Sequence, residues 1–376
     1  MACKEEDRKG NLFLPSQEYL HRRFLLPSRH LCIRTDYRDS NPETPMKARI
    51  RGDKHQGDEN IHHRLLSYLR TGFPGRIDQL DMIRPSVFFL KSAIGEYIVK
   101  GYTSYHRLKL QEAFTATLKK EGFTHTYSYV CPGRRKPYYL DGLYWGILEY
   151  IQPHPNPFTF LREADRFAGL KLLQKYHSIT QQIVQRYKTI LPPAALIDKW
   201  ENRLELFKAN KPMINYFVNR QATESIISWA EFALRGMKEQ QAFFTEGTQV
   251  ILHGDVAHHN FLRSKNGKVY LIDFDLISIG PPVLDYLQYS NRILPFLHWS
   301  LEELAKYNNL AAFMSVKAFL YALAYPADLL REWNRIFKNS ASPNQHLLYQ
   351  IIELTMGQFK ERQQFFKKIQ DELNSV

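Results

Sequence analysis

Two short stretches of the chain hold the residue types that phosphoryl transfer requires. The first reads Val250-Ile251-Leu252-His253-Gly254-Asp255 and runs on to Asn260; the second reads Val269-Tyr270-Leu271-Ile272-Asp273-Phe274-Asp275. Each is an apolar strand whose end presents a carboxylate. Asn266-Gly267 between them spells a tight turn, so the two strands are expected to pair and to bring Asp255, Asn260 and Asp273 together. A carboxylate beside an attacking hydroxyl, with an amide oxygen and a second carboxylate to hold Mg²⁺ on the phosphates, is the inventory this chemistry needs. The adjacent pair His258 and His259 invites a zinc reading, but neighbouring side chains diverge and no third soft ligand lies nearby, so loop packing or hydrogen bonding is expected of them.

The spacing H-G-D-x-x-x-x-N followed by I-D-F-D resembles the catalytic and metal-binding segments of the aminoglycoside phosphotransferase and choline kinase group, which shares the protein-kinase-like fold. The resemblance implies that Asp255 is the catalytic base, that Asn260 and Asp273 are Mg²⁺ ligands, and that His253 anchors the loop. It also implies that Asp285, in Gly280-Pro281-Pro282-x-x-Asp285, braces that loop, and it leaves Asp275 as an accessory to the metal or the acceptor. Upstream it assigns Lys100 to the α- and β-phosphates of ATP, with Glu112 on the following helix as its partner. Ser92-Ala93-Ile94-Gly95 then becomes the turn that covers the phosphates, with Gly95 its one glycine, and Leu148-Glu149-Tyr150-Ile151 the segment that presents backbone groups to adenine. Lys100 as a strand-end charge and Glu112 as a solvated helix residue are the plain alternatives at those positions.

The activity implied is an ATP- and Mg²⁺-dependent transfer of the γ-phosphate to a hydroxyl of an unidentified small molecule or protein. The layout looks most like the bacterial spore-coat CotS-like branch, so a kinase-fold scaffold among spore-coat proteins is the alternative, with a cytoplasmic or spore-coat location. Aminoglycosides are polycations and call for acidic walls, which the basic composition disfavours unless Glu302, Glu303 or Asp328 builds a local acidic pocket.

These residues need a frame to hold them. The fold class expected is α+β, a bilobal kinase-like arrangement with a small antiparallel-sheet N-lobe and a large, mainly helical C-lobe. Residues 1–57 read as an extension rich in charge and proline, 58–151 as the N-lobe and 152–376 as the C-lobe. Within the N-lobe a helix is expected from about Asp58 to Arg70, then a hairpin of 87–90 with 97–100, a helix over 105–120 closed by Gly122, and strands over 125–130 and 144–150 after the Asp141-Gly142 turn. Helical periodicity follows over 160–180, 197–220, 223–245, 301–324 and 344–374, with residues of 197–245 and 290–374 expected to build the acceptor pocket.

Composition bounds the alternatives. Hydrophobic residues make up 44% of the 376, enough for a sizeable core. No window offers the ~20 apolar residues of a membrane span, and the first residues lack a secretory stretch. Cys3, Cys32 and Cys131 are odd in number and far apart, so neither a disulfide framework nor a zinc site is expected and a reducing compartment fits. The net charge of +13 suggests nucleic acid at first sight. It is spread as +2, +6, +4 and +1 over residues 1–60, 61–150, 151–250 and 251–376, with only Arg134-Arg135-Lys136 as a basic run, so no nucleic-acid partner is expected. Arg51-Gly52-Asp53 is read as a chance tripeptide.

Overall fold

Leu65 and Leu69 stand one turn apart on the first helix and are both fully buried. That helix, α1, spans Lys54–Arg70 and so begins a turn earlier than expected, with Asp58 inside it. The computed structural model describes residues 54–130, 137–339 and 345–375. The tripeptide 51–53, the three cysteines, the basic run 134–136 and the extension up to residue 53 lie outside the described residues. The described residues fall into two compact units, the first containing 54–101 and 137–145, the second 102–130, 146–339 and 345–375.

In the first unit the strands β1 (Ile77–Arg84), β2 (Val87–Ser92) and β3 (Gly95–Tyr102) run antiparallel in chain order. The 87–90 with 97–100 hairpin is present, in the register Phe88↔Val99 and Ser92↔Gly95. Strand β1 was not expected; it pairs Leu80 with Leu90, and both are buried. Its polar residues Asp78, Gln79 and Asp81 break the apolar alternation that reveals a strand in sequence. Two further strands follow, β5 (Tyr138–Leu140) and the start of β6 (Leu143–Glu149), joined by Asp141 and Gly142 at φ 53° and 76°, the paired positive values of a type I′ hairpin turn. Strand β6 extends the sheet beside β3.

In the second unit the helix α2 (Tyr105–Lys120) has the limits expected; the Ser104 hydroxyl accepts from Arg107 N at 3.2 Å as its N-cap, and Gly122 turns the chain at φ 92°. The strand expected over 125–130 shortens to β4 (Tyr129–Val130), which pairs with the end of β6. The preceding residues are committed elsewhere: His125 Nδ1 bonds Val269 O at 2.8 Å, and Leu271 N donates to His125 O at 2.9 Å. The remainder is mostly helical, in α3 (Glu163–Tyr187), α4 (Leu196–Ile214), α5 (Arg220–Glu239), α6 (Val283–Ile293), α7 (Lys317–Ala324), α8 (Ala327–Asn339), α9 (Gln345–Met356) and α10 (Phe359–Ser375).

Aromatic contacts lock these helices together. Trp200 of α4 stacks on Tyr325 at 4.1 Å, and a Cβ at Gly236 of α5 would fall inside the Tyr321 ring of α7. Among the described residues no helix is long and apolar enough to cross a membrane.

Candidate active site

Four short strands set the site, all in the second unit. They are β7 (Val250–Leu252), β8 (Phe261–Arg263), β9 (Val269–Leu271) and β10 (Ser278–Gly280). The expected pairing holds only in part. Across the Asn266-Gly267 turn β9 pairs with β8, whereas β7 pairs with β10 in the register Leu252↔Ser278. All three residues of β7 are buried, and Gly254 at φ 76° bends the chain away immediately after it, so only 261–263 is left to face β9. A Cβ at Gly254 would land on the Leu276 carbonyl oxygen, which restricts this position to glycine.

The bend delivers Asp255 to a half-buried position. Its Oδ2 accepts from Asn260 Nδ2 at 3.2 Å, its backbone oxygen from the same Nδ2 at 2.8 Å, and its Oδ1 from Arg292 Nη2 at 3.1 Å. These bonds fix the Asn260 amide so that its oxygen is the atom left for a cation. Ile272 N donates to Asn260 O at 2.9 Å, which ties Asn260 to the strand end that carries Asp273. Asp273 itself has φ 70°, a left-handed value uncommon outside glycine and the kind of strain that functional sites hold.

His253 bridges the two segments: its Nε2 bonds Ile272 O at 3.0 Å, and its Nδ1 accepts from Asp255 N at 3.3 Å. Asp285 lies beneath them, 1% exposed. Its carboxylate accepts from His253 N at 2.8 Å and Gly254 N at 3.0 Å and bonds His177 Nε2 at 2.9 Å. Burial alone would push this carboxyl up, but the hydrogen bond and charge of His177, with His253 beside it, hold it below the usual carboxylate range.

Three contributors to the loop carry no local sequence signal. His177, on α3, bonds the Asp285 carboxylate from 108 residues away. Gln288 accepts from Val256 N at 2.6 Å and donates to Gly254 O at 2.9 Å, and Arg292 holds Asp255. Asp285, Gln288 and Arg292 recur at i, i+3 and i+7 on α6, a polar stripe that helical periodicity makes visible once the helix is placed. His258, in the 3-10 turn 258–260, meets the Phe160 ring edge-on at 6.0 Å.

The other sequence-assigned residues are placed as follows. Glu112 bonds Lys109 Nζ at 2.7 Å, one turn away on α2, while its neighbour Gln111 donates to Phe274 O at 2.6 Å and so fastens α2 to the Asp273-Phe274-Asp275 segment. Asp275 and Asp273 sit near Tyr102, whose phenol is pushed well above its usual range by burial, by Tyr127 and by these carboxylates. Glu149 accepts from Lys119 Nζ and Ser128 N, each at 3.1 Å, and Ile151 is half-buried beyond the end of β6. In the first unit Lys100 is buried on β3, and Gly95 closes the β2–β3 turn, where Ser92 Oγ donates to Gly95 O at 2.9 Å.

Among the described residues no group of three or more His, Cys, Asp or Glu side chains gathers as a metal cage. One amide oxygen and one carboxylate, both hard donors, instead suit a Mg²⁺ that takes its remaining ligands from phosphates and water.

A family model described as "Phosphotransferase enzyme family" (APH) matches residues 81–307. The chain belongs to this phosphotransferase family. No curated protein matches it. Among solved structures, an aminoglycoside phosphotransferase from Alicyclobacillus acidocaldarius subsp. acidocaldarius is similar, with TM-score 0.63, 16% identity, and 91% of this chain and 100% of that one covered. The AMP-bound spectinomycin phosphotransferase APH(9)-Ia gives 0.52 at 14% identity, covering 84% and 98%. An amicoumacin kinase in complex with AMP-PNP, Ca²⁺ and Ami gives 0.51 at 14%, covering 85% and 96%. At these identities the likeness concerns the fold, and the phosphotransferase has the kinase-like fold expected: an antiparallel sheet in its N-terminal region and a mostly helical remainder.

Proposed function

We propose that the protein transfers the γ-phosphate of Mg·ATP to a hydroxyl group, with Asp255 as the base. The observation that carries this reading is the hydrogen-bonded set Asp255–Asn260–Ile272, which joins a half-buried carboxylate to an amide oxygen and to the backbone that bears Asp273. Membership of the phosphotransferase family and nucleotide complexes among structural neighbours support it.

Asp255 orients the acceptor hydroxyl and takes its proton as the oxygen–phosphorus bond forms and the bond from γ-phosphorus to the bridging oxygen of ADP breaks. Asn260 and Asp273 are the residues that would hold Mg²⁺, which when bound neutralises charge on the phosphates. Lys100 is assigned to the α- and β-phosphates, Gly95 to the phosphate-covering turn, and the backbone near Glu149 and Ile151 to adenine. Asp285, His177 and Gln288 work through the loop; they position Asp255 and do not touch substrate.

The test is calorimetry of Mg·ATP binding beside an ADP-formation assay. Asp273→Ala is expected to weaken Mg·ATP binding by tenfold or more, whereas Asp255→Ala retains binding and loses transfer. Mg·ATP binding unchanged in Asp273→Ala, or transfer surviving in Asp255→Ala, contradicts the assignment.

A further inference from the structure

Helix α2 turns inward a polar side chain that its own turns do not use. Gln111 is 4% exposed, and its Nε2 donates to the Phe274 carbonyl at 2.6 Å, across 163 residues of sequence. The other buried polar residue of the helix, Thr115, directs its hydroxyl to the carbonyls of Gln111 and Glu112 at 2.9 and 3.2 Å. Glu112, the residue that the sequence resemblance named on this helix, has its side chain 30% exposed and bonded to Lys109.

A carbonyl oxygen can only accept, so the bond to Phe274 sets which way the Gln111 amide points. It leaves Gln111 Oε1 buried with no hydrogen-bond partner among the described residues. An orphan acceptor of this kind opposes folding, and an aliphatic side chain at 111 would fill the same place without it. Packing therefore does not account for the amide, whereas its bond to Phe274 does.

That bond falls beside the assigned metal ligand. On its N-terminal side the segment 272–275 is tied to the catalytic loop, where Ile272 N donates to Asn260 O at 2.9 Å and Ile272 O bonds His253 Nε2 at 3.0 Å. Asp273 follows at φ 70°, a conformation that persists where its surroundings impose it. Next comes Phe274, fully buried, whose ring meets Phe114 of α2 at 5.4 Å, Tyr176 of α3 at 5.9 Å and His253 at 5.2 Å. These contacts hold the ring, but a ring can stay in place while the peptide after it rotates. The Gln111 bond fixes that peptide, the link between Phe274 and Asp275.

We infer that Gln111 is a positioning residue for the metal ligand: by pinning the 274–275 peptide from α2, it holds Asp273 in the left-handed conformation from which Mg²⁺ would be bound. This inference rests on the proposed phosphotransfer reading and adds to it a residue that acts through the backbone of Phe274.

The test compares Mg·AMP-PNP with metal-free AMP-PNP in EDTA, each titrated into the full chain by calorimetry, with thermal melting as the check on folding. Gln111→Met keeps the volume and removes the donor; Gln111→Asn keeps an amide that is one methylene too short to reach Phe274. Each is expected to weaken Mg·AMP-PNP binding by about tenfold, the size of effect when a buried carbonyl loses its donor, while metal-free AMP-PNP binds as it does to the native chain. Thr115→Val, which removes a buried hydroxyl from the same helix, is expected to lower Tm and leave both affinities native. In an Asp273→Ala background, Gln111→Met is expected to weaken Mg·AMP-PNP further by less than about twofold, because the group it positions is gone.

Native Mg·AMP-PNP affinity in both Gln111 variants overturns the inference. So does a loss shared equally by the metal-free nucleotide, or one that adds in full to that of Asp273→Ala. Loss of the cooperative melt in both variants assigns Gln111 to stability alone and overturns it as well. All of these outcomes leave the phosphotransfer reading standing. A native chain that binds Mg·AMP-PNP no more tightly than metal-free AMP-PNP counts against that reading and takes the inference with it.

Discussion

Asp285 is the residue on which the geometry of the loop most depends. Its carboxylate satisfies two backbone amides and the His177 ring in a place that water does not reach, so removing it leaves buried donors unpaired. Asp285→Ala is expected to cost ~3–5 kcal/mol, as is typical when one partner of a buried charged pair is deleted. Differential scanning calorimetry should show a Tm lowered by roughly 10 °C. The sign of its pH dependence follows from its depressed value. The stabilisation is fully present above the unfolded carboxyl value of about 3.9 and is lost as pH falls through the lower folded one. Acid titration of Asp285→Asn should therefore show a shallower loss of stability below pH 4 than the native chain shows.

At the scale of elements, the site is a junction of two short β-pairs with one helix beneath, and Gly254 is where the first strand gives way to the loop. Gly254→Ala forces a Cβ onto the Leu276 carbonyl at a positive φ, a strain of ~1–3 kcal/mol that the loop relieves by moving Asp255. The expected result is a kcat lowered by more than tenfold with KM for ATP little changed, read by steady-state kinetics; native kcat in this variant contradicts the placement of the loop. Local spacing made part of this legible. Asp255, Asn260 and the Asn266-Gly267 turn lie within a dozen residues, where strand and turn chemistry speak directly. The pairing of β7 with β10 was not legible, because it depends on which strand a fully buried partner is offered in the folded core. Gln288, Arg292 and His177 were missed for the same reason: their partners lie 34, 37 and 108 residues away in sequence.

For the whole molecule, the net charge of +13 takes on a local meaning. One of its basic side chains, Arg292, holds the assigned base at 3.1 Å, from a helix that sequence periodicity had not placed. The change from an antiparallel sheet in the N-terminal region to a mostly helical remainder was legible from the switch in periodicity, while the first strand was hidden by its charged residues. If the protein binds Mg·ATP, nucleotide at 100 times its Kd stabilises the chain by ~2.7 kcal/mol, a rise in Tm of several degrees that disappears when Mg²⁺ is chelated. No rise at millimolar Mg·ATP would favour a kinase-fold scaffold. The most direct test of the central claim is acceptor-dependent conversion of Mg·ATP to ADP by the native chain and by Asp255→Asn, across hydroxy acids, sugars, amino alcohols and proteins. The account predicts transfer by the native chain and a kcat at least ~10²-fold lower in the variant, with Mg·ATP binding preserved. Equal turnover in the variant, or no transfer by the native chain to any acceptor, would contradict it.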